Sequence, residues 1–289
     1  MRDYAITTDS SCDFDQALAD SLGVTVVPLS VQIGPRRFRN APGEAMDSHS
    51  FYQLLSQGEL AQTSAPNVEE FKAVWRPILQ SGRDLLYLGF SSGLSGTYHN
   101  AAIAAEDLRE EFPEARIITV DTLCASLGQG MLVDLTLQEK RQGKTLDEAA
   151  AFAEKNRLHL CHWFTVGDLS QLRRGGRLSA GKAIVGNLLN IKPVLHVDDE
   201  GHLVPMASAK GRKKSIEALV SHMEESAVAP EQQRVYISHG DCLADAELLA
   251  QMVRDRLHVS SVTIGDVGPV IGAHSGAGTL ALFFVGTHR

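Results

Sequence analysis

Several things are scarce in this 289-residue sequence, and each scarcity excludes something. Its four cysteines, Cys12, Cys124, Cys161 and Cys242, stand far apart with no CxxC pair. That spacing excludes a disulfide framework or a zinc finger and suits reduced thiols in a cytosol. Basic charge is short as well. Lys plus Arg is 27 against 35 for Asp plus Glu, a formal net charge of −8 and the wrong sign for gripping nucleic-acid phosphates. Long apolar runs are missing: stretches such as Leu280–Val285 fall far below the roughly 18 residues a spanning helix needs. Met1–Ile6 carries no apolar leader, so the expectation is a soluble, cytoplasmic protein with no integral membrane segment. Aromatics are only 6%, yet a hydrophobic fraction of 44% is enough for a packed core.

What is present is alternation. The length predicts two domains at about 150 residues each, and short apolar runs alternate with amphipathic stretches, the pattern of an α/β fold. Tyr4–Thr8 predicts a strand, Asp13–Leu22 a helix closed by Gly23, and Val24–Ile33 a second strand. Asp47–Ser56 and Asn67–Gln80 predict helices capped by Ser48 and Asn67, with a polar loop from Thr63 to Asn67 between them. Asp84–Phe90 and Arg116–Asp121 are strands, and helices follow up to Glu111 and over Ala125–Arg141. Thr145–Glu148 is a capping box. This half is a doubly wound, mainly parallel sheet, whose ligands sit at strand carboxyl ends. After His159 the texture changes. Strands are expected at Trp163–Val166, Val235–Ser238, Val262–Val267 and Leu280–Val285, with a hairpin across Asp198–Gly201. Gly167–Arg174, Ala183–Asn190, Lys213–Glu225 and Ala244–Leu257 are expected to be helical, and Gly272–Gly278 a glycine loop. The boundary falls near residue 158, giving a second α/β domain over 159–289.

Several motifs carry chemistry. Gly89-Phe90-Ser91-Ser92-Gly93 fits the G-x-S-x-G nucleophile elbow between a strand and a helix. With His239 or His274 as base and Asp241 as acid, it describes a serine hydrolase acting through Ser91. Ser95-Gly96-Thr97 repeats the hydroxyl pattern one turn on, which fits an anion-binding loop at a helix N-terminus instead. Gly176–Ala183 approaches the P-loop pattern, but Ala183 replaces the hydroxyl that holds magnesium, so no nucleotide is expected. His159, Cys161 and His162 are dense, yet strand alternation parts His162 from the others and no fourth ligand follows; packing is predicted, not a metal. Thr63-Ser64 and Thr8-Asp9-Ser10-Ser11 are further hydroxyl-rich loops at the sheet edge. Arg174 and His274 are lone cations in glycine-rich loops, suited to an anionic ligand.

Taken in order, these segments resemble the DegV family of bacterial fatty-acid-binding proteins. The matching pieces begin with Thr8-Asp9-Ser10, Thr63-Ser64-Ala65-Pro66, Ser92-Gly93-Leu94-Ser95-Gly96-Thr97-Tyr98 and Asp121-Thr122 with Gly128-Gln129-Gly130. Leu172-Arg173-Arg174-Gly175-Gly176-Arg177-Leu178-Ser179, Ile191–Leu195, His239-Gly240-Asp241 and Gly272–Gly278 complete them. The resemblance implies one long-chain fatty acid in the cleft between two α/β domains. Its carboxylate would be held by Thr63 and Ser95, with Ser64, Gly96 and Ser10 in the flanking loops and Arg174 and His274 approaching the head group. It also implies a carrier and not an enzyme, with no cofactor beyond the bound acid. A partner fatty-acid kinase would make the acyl phosphate that feeds phospholipid synthesis. One departure is Ala277, where the family's G-x-H-x-G-P-G loop has proline. Burying about fourteen methylenes is worth on the order of 10 kcal/mol gross, while a hydroxyl on the carboxylate adds roughly 1.5–3 kcal/mol. The tail therefore supplies affinity and the loops supply orientation. Lys210-Gly211-Arg212-Lys213-Lys214 is either a docking patch for the kinase or a solvated helix start.

Overall fold

The computed structural model describes residues 2–179 and 190–289. In chain order the first strands are β1 (Tyr4–Asp9), β2 (Thr25–Val27), β3 (Ser30–Ile33), β4 (Arg36–Arg39), β5 (Ala61–Ser64), β6 (Asp84–Gly89) and β7 (Ile117–Asp121). Then come β8 (Leu160–Thr165), β9 (Ile191–Val197), β10 (Leu203–Lys210), β11 (Arg234–His239), β12 (Ser261–Asp266) and β13 (Leu280–Val285). The helices are α1 (Gln16–Leu22), α2 (Ser48–Ser56), α3 (Val68–Gln80), α4 (Thr97–Glu111), α5 (Ser126–Arg141) and α6 (Leu146–Asn156). They continue as α7 (Ser170–Arg174), α8 (Arg212–Ser226), α9 (Leu243–Leu257) and α10 (Pro269–Ser275).

The first sheet runs β2-β1-β6-β7 with every pair parallel, the doubly wound arrangement, and its strand order reverses between β1 and β6. A small antiparallel sheet, β4-β3-β5, lies beside it. The third sheet, β10-β9-β8-β13-β11-β12, is antiparallel except for the β11–β12 pair. Its strands all come from residues 160–285, and those of the other two from 4–121. On that partition we propose domains 1–158 and 159–289.

One core runs through both halves. Helix α5 is buried from Ser126 through Asp134 and again at Thr136 and Leu137, so it has no broad polar face to give to water. On one side it packs on Ile6, Leu86, Leu88 and Val120 of the parallel sheet, on the other on Phe164, Tyr236, Ala281 and Phe283. Period-two alternation in β13 shows the layering. Ala281 and Phe283 belong to this core, while Leu280, Leu282 and Phe284 pack against Ile216, Leu219 and Leu249 of α8 and α9. Phe71 and Trp75 of α3 and the alanines of α4 cover the far face of the parallel sheet at Leu85 and Tyr87.

Most expected elements form where the pattern put them, and the exceptions have local causes. Val24–Ile33 is two strands and not one, because Pro28 offers no N–H to a ladder; Thr25–Val27 joins the parallel sheet and Ser30–Ile33 the small one. Thr63 and Ser64 are not loop residues but the end of β5, in register with Val31 and Ser30. Helix α1 starts only at Gln16, capped by Asp15, after a short 3-10 turn at Ser10–Cys12. The cap of α2 is Asp47, whose carboxylate accepts the Ser50 N–H at 2.9 Å, in place of Ser48. The glycine loop 272–278 begins as α10, opened by Pro269 at its first position. The capping boxes at Asn67 and Thr145 form as read. Residues 180–189, which carry most of the Ala183–Asn190 helix and the end of the P-loop-like stretch, lie outside the described residues.

The closeness of α5 to the third sheet rests on Gly128. A Cβ there would stand 2.2 Å from His162 Nε2 and 2.7 Å from a ring carbon of Phe283. Gly128→Ala is expected to cost about 1–3 kcal/mol of stability by overpacking. Urea unfolding checks this, and an unchanged midpoint would mean that α5 is not held this tightly.

Candidate ligand channel

The channel begins where the parallel sheet's strand order reverses. Asp9 ends β1 fully buried, and its carboxylate accepts bonds from Tyr87 Oη at 2.7 Å, Phe90 N at 2.9 Å, Gln129 Nε2 at 3.1 Å and Ser11 N at 3.0 Å. Burial pushes its proton affinity up, and the bonds from Tyr87, Phe90 and Ser11 pull it back. The bond to Phe90 fixes the turn after β6, from which Phe90 and Leu94 reach into the channel.

Ser91, the elbow serine, is spent on structure. It is completely buried; its hydroxyl donates to Gly201 O at 2.9 Å and accepts the Gly93 N–H at 3.2 Å. Gly201 comes this close only because it has no side chain: a Cβ would lie 2.1 Å from Ser91 Oγ. The histidines expected to serve it are elsewhere. His239 faces Asp266 at 3.5 Å, and His274 bonds Thr63. The elbow reading is corrected: Ser91 pins the first half of the chain to the β9–β10 turn.

Polar groups gather at the mouth. Thr63 Oγ1 is 2.8 Å from Nε2 of His274, which sits in the last turn of α10. Ser95 Oγ accepts the Thr97 N–H at 3.2 Å and is 2.8 Å from Thr97 Oγ1. Arg177 donates from Nε to Leu94 O at 3.2 Å and from Nη1 to Gly175 O. Gly175 makes room for the imidazole, since a Cβ would be 2.5 Å from His274 Nδ1. Burial, helped by the Arg177 charge, pushes His274 down to about 4, so the ring is neutral at pH 7. Behind the mouth the walls are apolar: Phe90, Leu94, Phe164, Leu172, Val270 and Ile271 are among the lining residues. The space between its walls is about 740 Å³, part of it open to solvent.

Of the residues singled out in the sequence, Thr63, Ser95 and His274 line this channel together. Arg174 is exposed and lines the adjoining outer cleft, which shares Thr63, Arg177 and His274 with the mouth. Ser64 is exposed, on the opposite face of β5 from Thr63. Gly96 is an exposed cap residue of α4. Ser10 lies outside the channel, its hydroxyl committed to the Leu29 N–H at 2.9 Å. The sequence reading missed Arg177 as the cation in the channel. The signal was the second arginine of the Arg-Gly-Gly-Arg turn, which Gly176 (φ 66°) reverses. Val270 and Ile271 were missed too, although they precede His274 by four and three residues and share its helical face. His162 is pushed down to about 3 by burial and packs edge-on to Phe283 at 5.2 Å. Among the described residues no group of three or more His, Cys, Asp or Glu is placed to hold a metal, and no helix is long and apolar enough to cross a membrane.

Fold and channel together define a mixed α/β protein with an apolar ligand channel closed by a polar mouth. The profile of the family described as "Uncharacterised protein, DegV family" matches residues 3–287, and the chain belongs to that family. A DegV domain-containing protein of Clostridium perfringens is 42% identical over 286 residues, covering 99% of this chain and 98% of the relative. A DegV family protein from Thermus thermophilus, solved for its fatty acid binding, is 33% identical with a TM-score of 0.87, covering 98% and 99%. DegV of Bacillus subtilis, described as a fatty acid binding protein, is 27% identical with a TM-score of 0.85 over 98% and 99%.

His274 yields a signed pH dependence. Its proton affinity is depressed in the folded state, so the stability tied to the neutral ring is present above the unfolded value near 6.5 and is lost as pH falls toward 4. Relative to His274→Gln, the wild type is expected to lose about 2 kcal/mol between pH 7 and pH 5. Urea unfolding of both proteins at the two pH values measures it, and a difference that does not change with pH contradicts the burial.

Proposed function

We propose that the protein binds one long-chain fatty acid, with the acyl tail in the channel and the carboxylate at the mouth on Thr63 and Ser95. The observation that carries this reading is the channel itself: apolar walls ending in two hydroxyls, a neutral imidazole and an arginine. The fatty-acid-binding structures of the Thermus thermophilus and Bacillus subtilis relatives support it. Physical bookkeeping divides the labour. The tail contributes on the order of 10 kcal/mol gross through about fourteen buried methylenes. Head-group hydroxyls donate to a charge in a partly dry site, and Arg177, which has no ion pair among the described residues, offsets that charge. A neutral His274 serves better here than a cation would, because its hydrogen bond sets the Thr63 hydroxyl without adding a second buried charge.

The same reading makes the protein a carrier in the cytoplasm, needing no cofactor beyond the bound acid. It presents the carboxylate to a fatty-acid kinase for acyl-phosphate formation. The outer cleft supports presentation, because Arg174 stands in the open beside the mouth where a second protein or a transferred phosphoryl group would arrive. The basic stretch near residue 212 supports docking less strongly. Arg212 is paired with Asp245 at 2.8 Å and the exposed Lys214 with Glu217 at 2.6 Å, so among the described residues Lys210 and Lys213 are the lysines of this stretch with no ion pair.

Native mass spectrometry with lipid extraction is expected to find a C14–C18 acid in the purified protein; a protein that never acquires one overturns the reading. Ser95→Ala is expected to weaken acid binding about tenfold, the loss of one charge-assisted hydrogen bond. It should also slow acyl-phosphate formation with a fatty-acid kinase by more than the weaker binding explains. An unchanged transfer rate counts against the role given to Ser95.

A further inference from the structure

We propose that a second cleft, on the other side of the α5 N-terminus from the channel, binds an alkylpolyamine, with ammonium groups at Asn40, Asp13 and Asp266. The inference is independent of the fatty-acid reading. This cleft lies between α1, the segment 40–48 and the end of β12, and the space between its walls is about 1450 Å³, part of it open to solvent. The two sites stand back to back at the start of α5. Ser126 lines the channel and Leu127 the cleft, and Ser126 Oγ is 2.5 Å from Asp13 Oδ2.

Charge and hydrogen-bonding capacity both select a cation. Asp13, Asp15, Asp47 and Asp266 line the cleft, and among the described residues its lining holds no lysine, arginine or histidine. His239, 3.5 Å from Asp266, stands outside that lining. Acidic residues alone would carry little, since Asp15 and Asp47 each cap a helix, on Leu18 N at 2.7 Å and Ser50 N at 2.9 Å. Asn40 adds a demand of its own. Its side chain lines the cleft, the residue is only 6% exposed, and Oδ1 has no partner. Nδ2 faces Ser10 O at 3.4 Å, an atom that only accepts, so the oxygen is the end of the amide left wanting a donor. A Cβ on Gly268 would lie 2.9 Å from Asp13 Oδ1 and 3.9 Å from Asn40 Nδ2, so amide and carboxyl meet at one spot that the glycine leaves open. A buried acceptor without a partner costs free energy that an incoming N–H recovers. Burial pushes the Asp13 carboxyl up to about 8, and a cation arriving beside it favours the charged form. A metal ion is a poor match, because among the described residues no three His, Cys, Asp or Glu are placed to hold one. The carboxylates instead share the wall with apolar Phe14, Leu18 and Met46. A methylene chain carrying ammonium groups at intervals meets both kinds of surface.

The test is calorimetric titration of the full chain with spermidine at physiological ionic strength, where weak surface attraction is screened. One saturable site is expected. Asn40→Ala and Asp266→Asn should each weaken it about fivefold to tenfold, while Glu106→Gln, on the exposed side of α4, leaves it unchanged. Asp266 is exposed, so its variant decides the matter if Asn40→Ala fails to fold. No saturable binding, cleft variants that leave the affinity unmoved, or an equal loss in Glu106→Gln overturns the proposal, since spermidine would then only screen an acidic protein. A lysine tripeptide that binds the cleft more tightly than spermidine also overturns it, and assigns the cleft to a basic segment of another protein.

Discussion

The structure depends on one constraint: a single helix, α5, has to satisfy a sheet on each side and a buried carboxylate as well. The run Gly128-Gln129-Gly130 shows how. Gly128 yields to His162 and Phe283 of the third sheet, while Gly130 yields to Phe14, whose ring would lie 2.4 Å from a Cβ there. Between them Gln129 donates to Thr8 Oγ1 at 2.9 Å and to Asp9. Two residues along a helix turn through about 200°, so the two missing side chains serve opposite neighbours. Asp9 in turn sets the turn that carries Phe90 and Leu94. The channel wall is therefore referenced to the middle of the molecule rather than to a surface loop.

The electrostatics follow the same economy. An acidic chain would repel an anionic ligand if its charges were spread evenly. At the mouth the cation is Arg177, the nearby histidine is neutral, and the donors are hydroxyls already oriented by Thr97 and His274. On the fatty-acid reading, the carboxylate would meet directed dipoles and one charge, an arrangement that buries fewer ionised groups than a cluster of cations would. Ser91 shows the converse. A residue in a motif that promises reactivity is consumed in holding two segments together, and local sequence alone does not reveal which of the two it does.

Much of this was legible in the sequence where one local signal dominates. Strand periodicity placed β1, β6, β7, β11 and β13, and capping chemistry placed α3 and α6. The hydroxyl residues Thr63 and Ser95, together with His274, stood out because their types and loops suit an anion. What escaped is non-local. Pro28 divides an apolar run only because each piece finds a different sheet. Thr63 is in a strand because β3 is there to pair with it. The segment around Gly272 continues a helix opened by Pro269, and Tyr52 and Phe51 pack where a Cβ on Gly272 would stand, although its glycines look like a loop from composition. Arg177 outranks Arg174 in the channel because Gly176 turns the chain back, a geometry that one-dimensional spacing does not contain.

The walls of the channel come from residues as distant as Thr63 and Phe283, so the channel exists only once the whole chain has assembled. On the fatty-acid reading, the acyl tail is then a removable piece of the hydrophobic core. Its stabilising effect on the folded state grows with the ratio of free ligand to dissociation constant. The lifetime of the protein against unfolding and proteolysis becomes a gauge of how much free acid surrounds it. A molecule that transports a building block would in this way also register its supply.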